Sequence, residues 1–119
     1  MRSDGLTIPS ELGTITIAPG VAAELVARTA ARCYGVVGLA SRTRVGRILG
    51  RERAASAVAV AAVDGGVRVD LHVAVEYGLN LAEIAATLRS QVTYELERQT
   101  GLRVTAVDVH IESARRSAW

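Results

Sequence analysis

Two stretches of the chain carry the same pair of residues that could take part in acid–base or metal chemistry. Asp70 and His72 are separated by one residue, and Asp108 and His110 repeat that spacing. Residues i and i+2 of a β-strand project from the same side of the strand. If the two strands are adjacent, two carboxylates and two imidazoles can converge on a divalent metal ion. The alternative, which we expect, is cross-strand hydrogen bonding and charge pairing on a solvated face of a sheet.

The rest of the sequence does not support an enzyme. No nucleophile accompanies the two pairs, and no pattern indicates a concave site. We therefore expect a protein without catalytic residues, metal or cofactor. The single cysteine, Cys33, excludes an internal disulfide and a cysteine-based zinc site. It lies on the apolar side of a predicted helix, where we expect it to pack as a small hydrophobic residue.

A segment rich in arginine is the other candidate for binding. Between residues 42 and 53, five arginines are opposed only by Glu52, which gives a local charge of +4. Guanidinium groups bind oxyanions through two hydrogen bonds, so this segment is a candidate site for a lipid headgroup or a phosphate. The plainer alternative is a solvated loop in a protein that uses arginine in place of lysine. The five residues are Arg42, Arg44, Arg47, Arg51 and Arg53.

The same segment supports an alternative function, a nucleic-acid or phosphate-binding module. Its arginines are not interleaved with aromatic residues, and it has no short motif typical of RNA-binding domains. We therefore do not expect sequence-specific recognition of nucleic acid. Gly46 and Gly50 do not form a P-loop, because the Gly-Lys-Ser/Thr ending is missing.

The first half of the chain predicts one strand and one helix. Residues 1–12 lack periodicity, and we interpret them as a flexible leader. Thr14–Ile17 alternates polar and β-branched apolar residues, as a strand does. Pro19 suits the first turn of a helix, and apolar residues recur with helical spacing from Val21 to Cys33.

The middle of the chain predicts a β-hairpin. Ala54–Val63 is rich in alanine and valine, which favours a strand. Asp64-Gly65-Gly66 tolerates the positive φ that a tight turn demands. Apolar and polar residues alternate in Val67–Tyr77, which predicts a strand with one buried face and one solvated face.

The last third of the chain predicts a second helix and a final strand. Asn80 and Glu83 form a capping-box pattern at the start of the helix, and Gly101 suits the left-handed position after its end. Leu102–Glu112 has the apolar alternation of a strand, but the phase of that alternation switches once. One extra residue at Thr105–Ala106 explains the switch, so we predict a β-bulge there.

These elements predict a single α+β domain. A chain of 119 residues that is 50% hydrophobic can bury one core. The order βαββαβ is that of a split-βαβ, ferredoxin-like sandwich with two layers and both helices on one face of a four-stranded sheet. We expect the domain to span residues 13–112, followed by a tail at residues 113–119. No apolar run reaches the roughly 20 residues that a transmembrane helix needs, so we expect a cytoplasmic protein.

Several short motifs occur in a recognisable order between Gly13 and Ile111. They are Gly13-x-Ile15-x-Ile17-Ala18-Pro19, Gly35-Val36-x-Gly38-Leu39, Val75-Glu76-Tyr77-Gly78, Asn80-Leu81-x-Glu83-Ile84-Ala85, Gln91-Val92, Thr100-Gly101-Leu102-x-Val104 and Val107-x-Val109-x-Ile111. Together they resemble the alkaline shock protein family of bacteria, also called the envelope stress response family. Tyr34 departs from the family pattern, which usually has proline before the Gly-Val pair.

The resemblance implies a small, cytoplasmic, non-enzymatic protein associated with cell-envelope or alkaline stress. Some members gather beneath the membrane through a membrane-anchored partner, so it also implies protein partners and a place at the inner face of the cell membrane. A sheet with an exposed edge adds a route to self-association or a homo-oligomer. The glycine- and charge-rich loop of the family is dominated by arginine here, and we expect it to add attraction toward an anionic membrane surface.

Overall fold

The described part of the chain contains six strands and two helices. The computed structural model describes residues 6–39 and 57–116. Two of its strands form a hairpin by themselves, and the other four form the main sheet. In chain order the elements are β1 Leu6–Ser10, β2 Gly13–Ile17, α1 Pro19–Ala31, β3 Val36–Leu39, β4 Val58–Val63, β5 Gly66–Glu76, α2 Leu81–Thr100 and β6 Val104–Arg115.

The long strand β5 lies in the centre of the main sheet. β6 pairs with one edge of β5 in parallel, from Val67↔Val104 to Glu76↔Arg115. Two antiparallel strands share the opposite edge, since β4 pairs with the first half of β5 and β3 with the end near Val75. Parallel neighbours need a long connection between them, and α2 provides it between β5 and β6.

Both helices pack on one face of this sheet and against each other. Alternate residues of β5 point into the layer between sheet and helices, and each of them is at most 2% exposed. The chain has no phenylalanine, so aliphatic side chains fill this layer. Its main residues are Val67, Val69, Leu71, Val73 and Val75 from β5, Ala22, Val26 and Ala30 from α1, and Ile84, Leu88, Val92 and Leu96 from α2.

The α+β class and the helices on one face of a four-stranded sheet are confirmed, but the connectivity differs from βαββαβ. The strand expected at Thr14–Ile17 is β2, which pairs with β1 and does not join the main sheet. β3, which follows the first helix, is the fourth strand of that sheet instead. β6 lies directly beside β5, so no strand splits the βαβ unit.

The ordered structure extends further at both ends than the sequence suggested. Leu6–Ser10 forms β1 because its apolar residues alternate in step with those of β2, beginning at Leu6↔Ile17. The prediction of a flexible leader is therefore wrong for residues 6–10. At the other end, β6 continues to Arg115 because β5 offers backbone partners as far as Glu76. The prediction of a tail is wrong for residues 113–115.

Three local predictions in the second half of the chain are confirmed. The side chain of Asn80 accepts a hydrogen bond from the backbone N–H of Glu83 at 3.0 Å, which caps α2. Gly101 has a φ of 79°, and its N–H donates to the carbonyl of Glu97 at 2.9 Å. The pairing of β6 with β5 shifts by one residue at Thr105, where the bulge is predicted.

Candidate functional site

The side of the main sheet turned away from the helices carries the predicted polar residues. No helix or strand of the described residues covers it, and we call it the open face. Most of its side chains are charged or polar, in contrast to the aliphatic layer on the other side. On the two central strands the open face consists of Arg68, Asp70, His72, Ala74 and Glu76 from β5 and Ala106, Asp108, His110, Glu112, Ser113 and Arg115 from β6, and Gly38 of β3 and Ala61 of β4 continue it on the other side of β5.

The register between β5 and β6 brings the two sequence pairs together. Asp70 lies opposite Asp108, and His72 lies opposite His110. The two imidazole rings stack, with centroids 4.4 Å apart and ring planes inclined by 10°. The four residues that the sequence singled out therefore form one cluster on adjacent strands.

Each imidazole is also paired with a carboxylate. His72 Nδ1 lies 2.6 Å from Glu112 Oε2, and His110 Nε2 lies 3.4 Å from Asp70 Oδ1. Glu112 belongs to a second irregularity of β6, where the register with β5 shifts by one residue. The sequence analysis missed this residue, because no change of apolar phase marks the second shift.

Arg68 holds the two aspartates at one end of the cluster. Its guanidinium forms an ion pair with Asp108, and its Nε lies 3.8 Å from Asp70 Oδ2. The side chains of Arg68 and Asp108 are 52% and 40% exposed, so water screens their attraction and limits its contribution to stability. Arg68 was not among the candidate site residues, although the alternation of β5 already placed it beside Asp70 and His72.

The contacts within the cluster are those of charge pairing. Ligands of a metal ion converge on one point about 2 Å from each of them, whereas stacked rings hold their nitrogens side by side. Within residues 6–39 and 57–116, no group of three or more histidine, cysteine, aspartate or glutamate side chains is placed to hold a metal ion. The contacts of Asp70, His72, Asp108 and His110 in this structure are ring stacking and charge pairs across the strands.

A second arginine lies across the other end of the open face. Gly38, Ala74 and Ser113 form one row across the strands from β3 to β6. A Cβ atom placed on Gly38 would be 2.7 Å from Nη2 of Arg115. The side chain of Arg115 thus reaches from β6 across β5 to β3. Ala74, in the middle of that row, is 1% exposed.

Cys33 lies on the helix-covered side, just after α1. Its thiol donates a hydrogen bond to the carbonyl of Thr29 at 3.4 Å, and its side chain packs against the core. Burial raises the pKa of the Cys33 thiol, and the nearby charge of Arg32 offsets part of that effect. The expectation that Cys33 packs as a small hydrophobic residue is confirmed.

The arginine-rich segment lies outside the described residues. Its role in binding an anionic partner therefore stays a prediction. This applies to Arg42, Arg44, Arg47, Arg51 and Arg53 alike.

Comparison with known proteins places this α+β domain with its charged open face in a family. The model of the alkaline shock protein 23 family, described as having a cell envelope-related function, matches residues 7–116. The chain belongs to that family, and the resemblance seen in the sequence is confirmed.

Bacterial relatives match nearly the whole chain. An uncharacterized protein of Streptococcus pyogenes is 30% identical over 107 residues, which cover 87% of this chain and 88% of that protein. The uncharacterized protein YloU of Bacillus subtilis is 27% identical over 114 residues, which cover 92% of this chain and 95% of that protein. Among solved structures, a zinc form of a MamM C-terminal-domain variant aligns with a TM-score of 0.47 and 15% identity, covering 82% of this chain and 85% of that one.

Neither helix of the described residues combines the length and the apolar character that crossing a membrane requires. The longer one, α2, has 20 residues, and only one stripe of it is buried. Its remaining surface carries charged and polar side chains, as expected of a helix that packs on a sheet.

Proposed function

We propose that this protein is a non-catalytic module of the cell-envelope response to stress, alkaline stress included, that acts by binding proteins, among them a second copy of itself. The open face is the observation that carries the proposal. Its charged side chains are held in mutual pairs by two adjacent strands, in a partly exposed row. A flat surface with charges already in place selects partners by charge complementarity.

The grooves among the described residues support binding more than catalysis. One of about 420 Å³ lies between the β1–β2 hairpin and the β4–β5 turn, and Arg103 is the one ionisable side chain in its lining. Another of about 380 Å³ lies where α1 ends beside α2, with Cys33 and Glu95 in its lining. A catalytic site needs a nucleophile or a base aimed at a reacting atom, supported by a second group. Burial raises the pKa of the Cys33 thiol, which makes Cys33 a poor nucleophile.

The proposal includes a place at the inner face of the cell membrane, reached through a membrane-anchored partner. The cell envelope-related function of the family supports this place. The arginine-rich segment between residues 42 and 53, with its local charge of +4, adds attraction to anionic lipid headgroups.

Photo-crosslinking in bacteria under alkaline stress tests the proposal. A photoreactive amino acid replaces Ala61, which lies opposite Arg68 at the β4 side of the open face. We expect it to cross-link to a partner of defined mass. The matched control places the same amino acid at Arg89, an exposed residue of α2, where we expect no such product. Equal cross-linking from both positions, or none from the open face, contradicts the proposal.

A charge swap separates partner binding from folding. Arg68→Glu places like charges beside Asp70 and Asp108, and it is expected to lower the free energy of unfolding by about 1 kcal/mol or less. Adding Asp108→Arg restores an opposite-charge pair between positions 68 and 108, and with it the stability. The positive and the negative charge of that pair have then exchanged places on the open face. We expect the double variant to fold normally and still fail to support growth of a deletion strain under alkaline stress. Full complementation by the double variant would exclude the open face as the partner site.

A further inference from the structure

The outer edge of β6 is the longest unpaired strand edge in the described part of the chain. β6 has 12 residues and pairs with β5 along one edge only. Such an edge presents backbone N–H and C=O groups with which another strand can pair. No proline interrupts β6, and its two register shifts lie outside the regular stretch of residues 106–111. The edge is therefore suited to receive a strand.

We propose that β6 pairs with β6 of a second copy, antiparallel, about a two-fold axis that passes beside Val109. The inference rests on the proposed function, because it specifies the surface through which the protein binds itself. Two identical edges related by a two-fold axis perpendicular to the sheet necessarily run antiparallel. The four-stranded sheets of the two copies then form one continuous sheet of eight strands.

The charges of β6 select one register for this pairing. The two register shifts of β6 leave residues 106–111 as a regular stretch. A register centred on Val109 places Asp108 opposite His110 of the second copy, and symmetry repeats the pair. Sliding the strands by two residues places either Asp108 opposite itself or His110 opposite itself. The first alternative sets two Asp108 carboxylates against each other, and the second sets Asp108 against Glu112 of the second copy. Like charges directly opposite each other, with no cation between them, destabilise a sheet, so the register centred on Val109 is the complementary one.

The side chains of Asp108 and His110 each have a second polar atom that can form a hydrogen bond across this contact. Asp108 contacts Arg68 through Oδ2, which leaves Oδ1 as an acceptor. His110 contacts Asp70 through Nε2, which leaves Nδ1 as the second ring nitrogen. An imidazole N–H can donate to a carboxylate in the neutral ring as well as in the charged one. The contact therefore does not require a protonated histidine.

The same register brings apolar residues together on the helix-covered side. Val109 lies opposite itself, and Val107 lies opposite Ile111 of the second copy. In a single copy, Val109 and Ile111 are only partly buried at the margin of the core. Branched apolar pairs across antiparallel strands stabilise a sheet, so both faces of the paired edge favour the same alignment.

Sedimentation equilibrium of the full chain tests the register through its charges. We expect a concentration-dependent dimer for the unaltered protein. His110→Asp places two carboxylates opposite each other in both symmetric pairs and should raise the dimer dissociation constant by about tenfold or more. Asp108→His should have a smaller effect, because two facing imidazoles can still share a hydrogen bond. The double variant D108H/H110D exchanges the two groups and should recover dimerisation. Ala86→Asp, at an exposed position of α2 on the other side of the sheet, is the matched control and should leave the constant unchanged. Ala61→Asp, on the β4 side of the sheet, shows whether that edge pairs instead.

A disulfide trap tests the same alignment independently of charge. In a Cys33→Ser background, Val109→Cys should form a disulfide-linked dimer under mild oxidation, because the residue lies opposite its own copy. Ile111→Cys should not, because it lies opposite Val107. Urea unfolding of each variant shows whether it is folded, so a folding defect is not mistaken for lost pairing.

Several outcomes would overturn the inference. They are a monomer at every concentration, a dimer unaffected by His110→Asp, a double variant that does not recover, or equal disulfide formation from both cysteine positions. A dimer lost only in Ala61→Asp would assign self-association to the β4 edge. In each of these cases, partner cross-links from the open face would leave the proposed function standing.

Discussion

The two faces of β5 are held together by different forces, although one strand supplies both. On the helix-covered side its side chains are fully buried aliphatic groups packed against α1 and α2. On the open face all its side chains except Ala74 are charged or polar, and those of Arg68, Asp70 and His72 are partly exposed and paired with residues of β6. Close packing penalises any change of shape, whereas screened charge pairs contribute little each. We therefore expect the stability of the fold to depend mainly on the helix-covered face.

The largest difference in the free energy of unfolding is expected between alanine substitutions at two neighbouring residues of β5. Leu71 is 0% exposed, and Leu71→Ala should lower the free energy of unfolding by about 3 kcal/mol, because it removes apolar contacts and leaves a cavity. His72→Ala removes the ring stack and the contact with Glu112, and it should cost about 1 kcal/mol or less. Equilibrium unfolding in urea measures both. Equal losses would mean that the open face holds the fold together as much as the core does.

Gly35, just before β3, and Gly38, within β3, allow the same comparison of the two faces. A methyl group added at Gly35 meets the helix-covered side, and one added at Gly38 meets the open face. Gly35 has a φ of +89°, and a Cβ there would be 2.8 Å from Cδ1 of Ile84 on the helix-covered side. Gly35→Ala should therefore cost about 2 kcal/mol from backbone strain and crowding. At Gly38 the obstructing atom is the flexible end of Arg115, which can move into water. Gly38→Ala should cost less than about 1 kcal/mol. Thermal unfolding of the two variants checks the order, and the reverse order would contradict the comparison.

The smallest expected effect is on the pH dependence of the free energy of unfolding, through the thiol of Cys33 at the margin of the helix-covered side. Burial raises the pKa of its thiol, so the folded chain holds that proton more tightly than the unfolded chain does. The contribution of this proton to the free energy of unfolding is fully present below the pKa of the thiol in the unfolded chain. It is lost as the pH rises through the pKa of the thiol in the folded chain. The free energy of unfolding should therefore fall more steeply above neutral pH for the unaltered protein than for Cys33→Ser. Alkylation of the thiol should be slower in the native protein than in urea, and equal rates would exclude the raised pKa.

Much of the local structure could be predicted because its causes lie within a few residues. Alternation assigned the residues of β5 to two faces, and a capping pattern located the start of α2 at Asn80. A switch of apolar phase located the bulge at Thr105. Each of these signals depends on the geometry of one element and needs no knowledge of its neighbours.

The pairing of strands could not be predicted in the same way. The alternation of Thr14–Ile17 indicated a strand, but it could not show that the partner is Leu6–Ser10 and not the main sheet. The sequence near Arg115 indicates a tail, yet the side chain of Arg115 lies across the open face above Gly38. Both features depend on contacts between segments that are distant in sequence or in the sheet, which local periodicity does not record.

Which side chains share one face of a strand follows from the amino-acid sequence, because a period of two residues is a property of the extended backbone. The same period predicts that Asp70 and His72 point away from the aliphatic layer. Their meeting with Asp108 and His110 in register, with the two rings stacked, depends on how the strands assemble in the folded chain. That alignment arises when α2 returns the chain beside β5 and the hydrogen bonds of two parallel strands set their offset, and no residue in either strand specifies it alone.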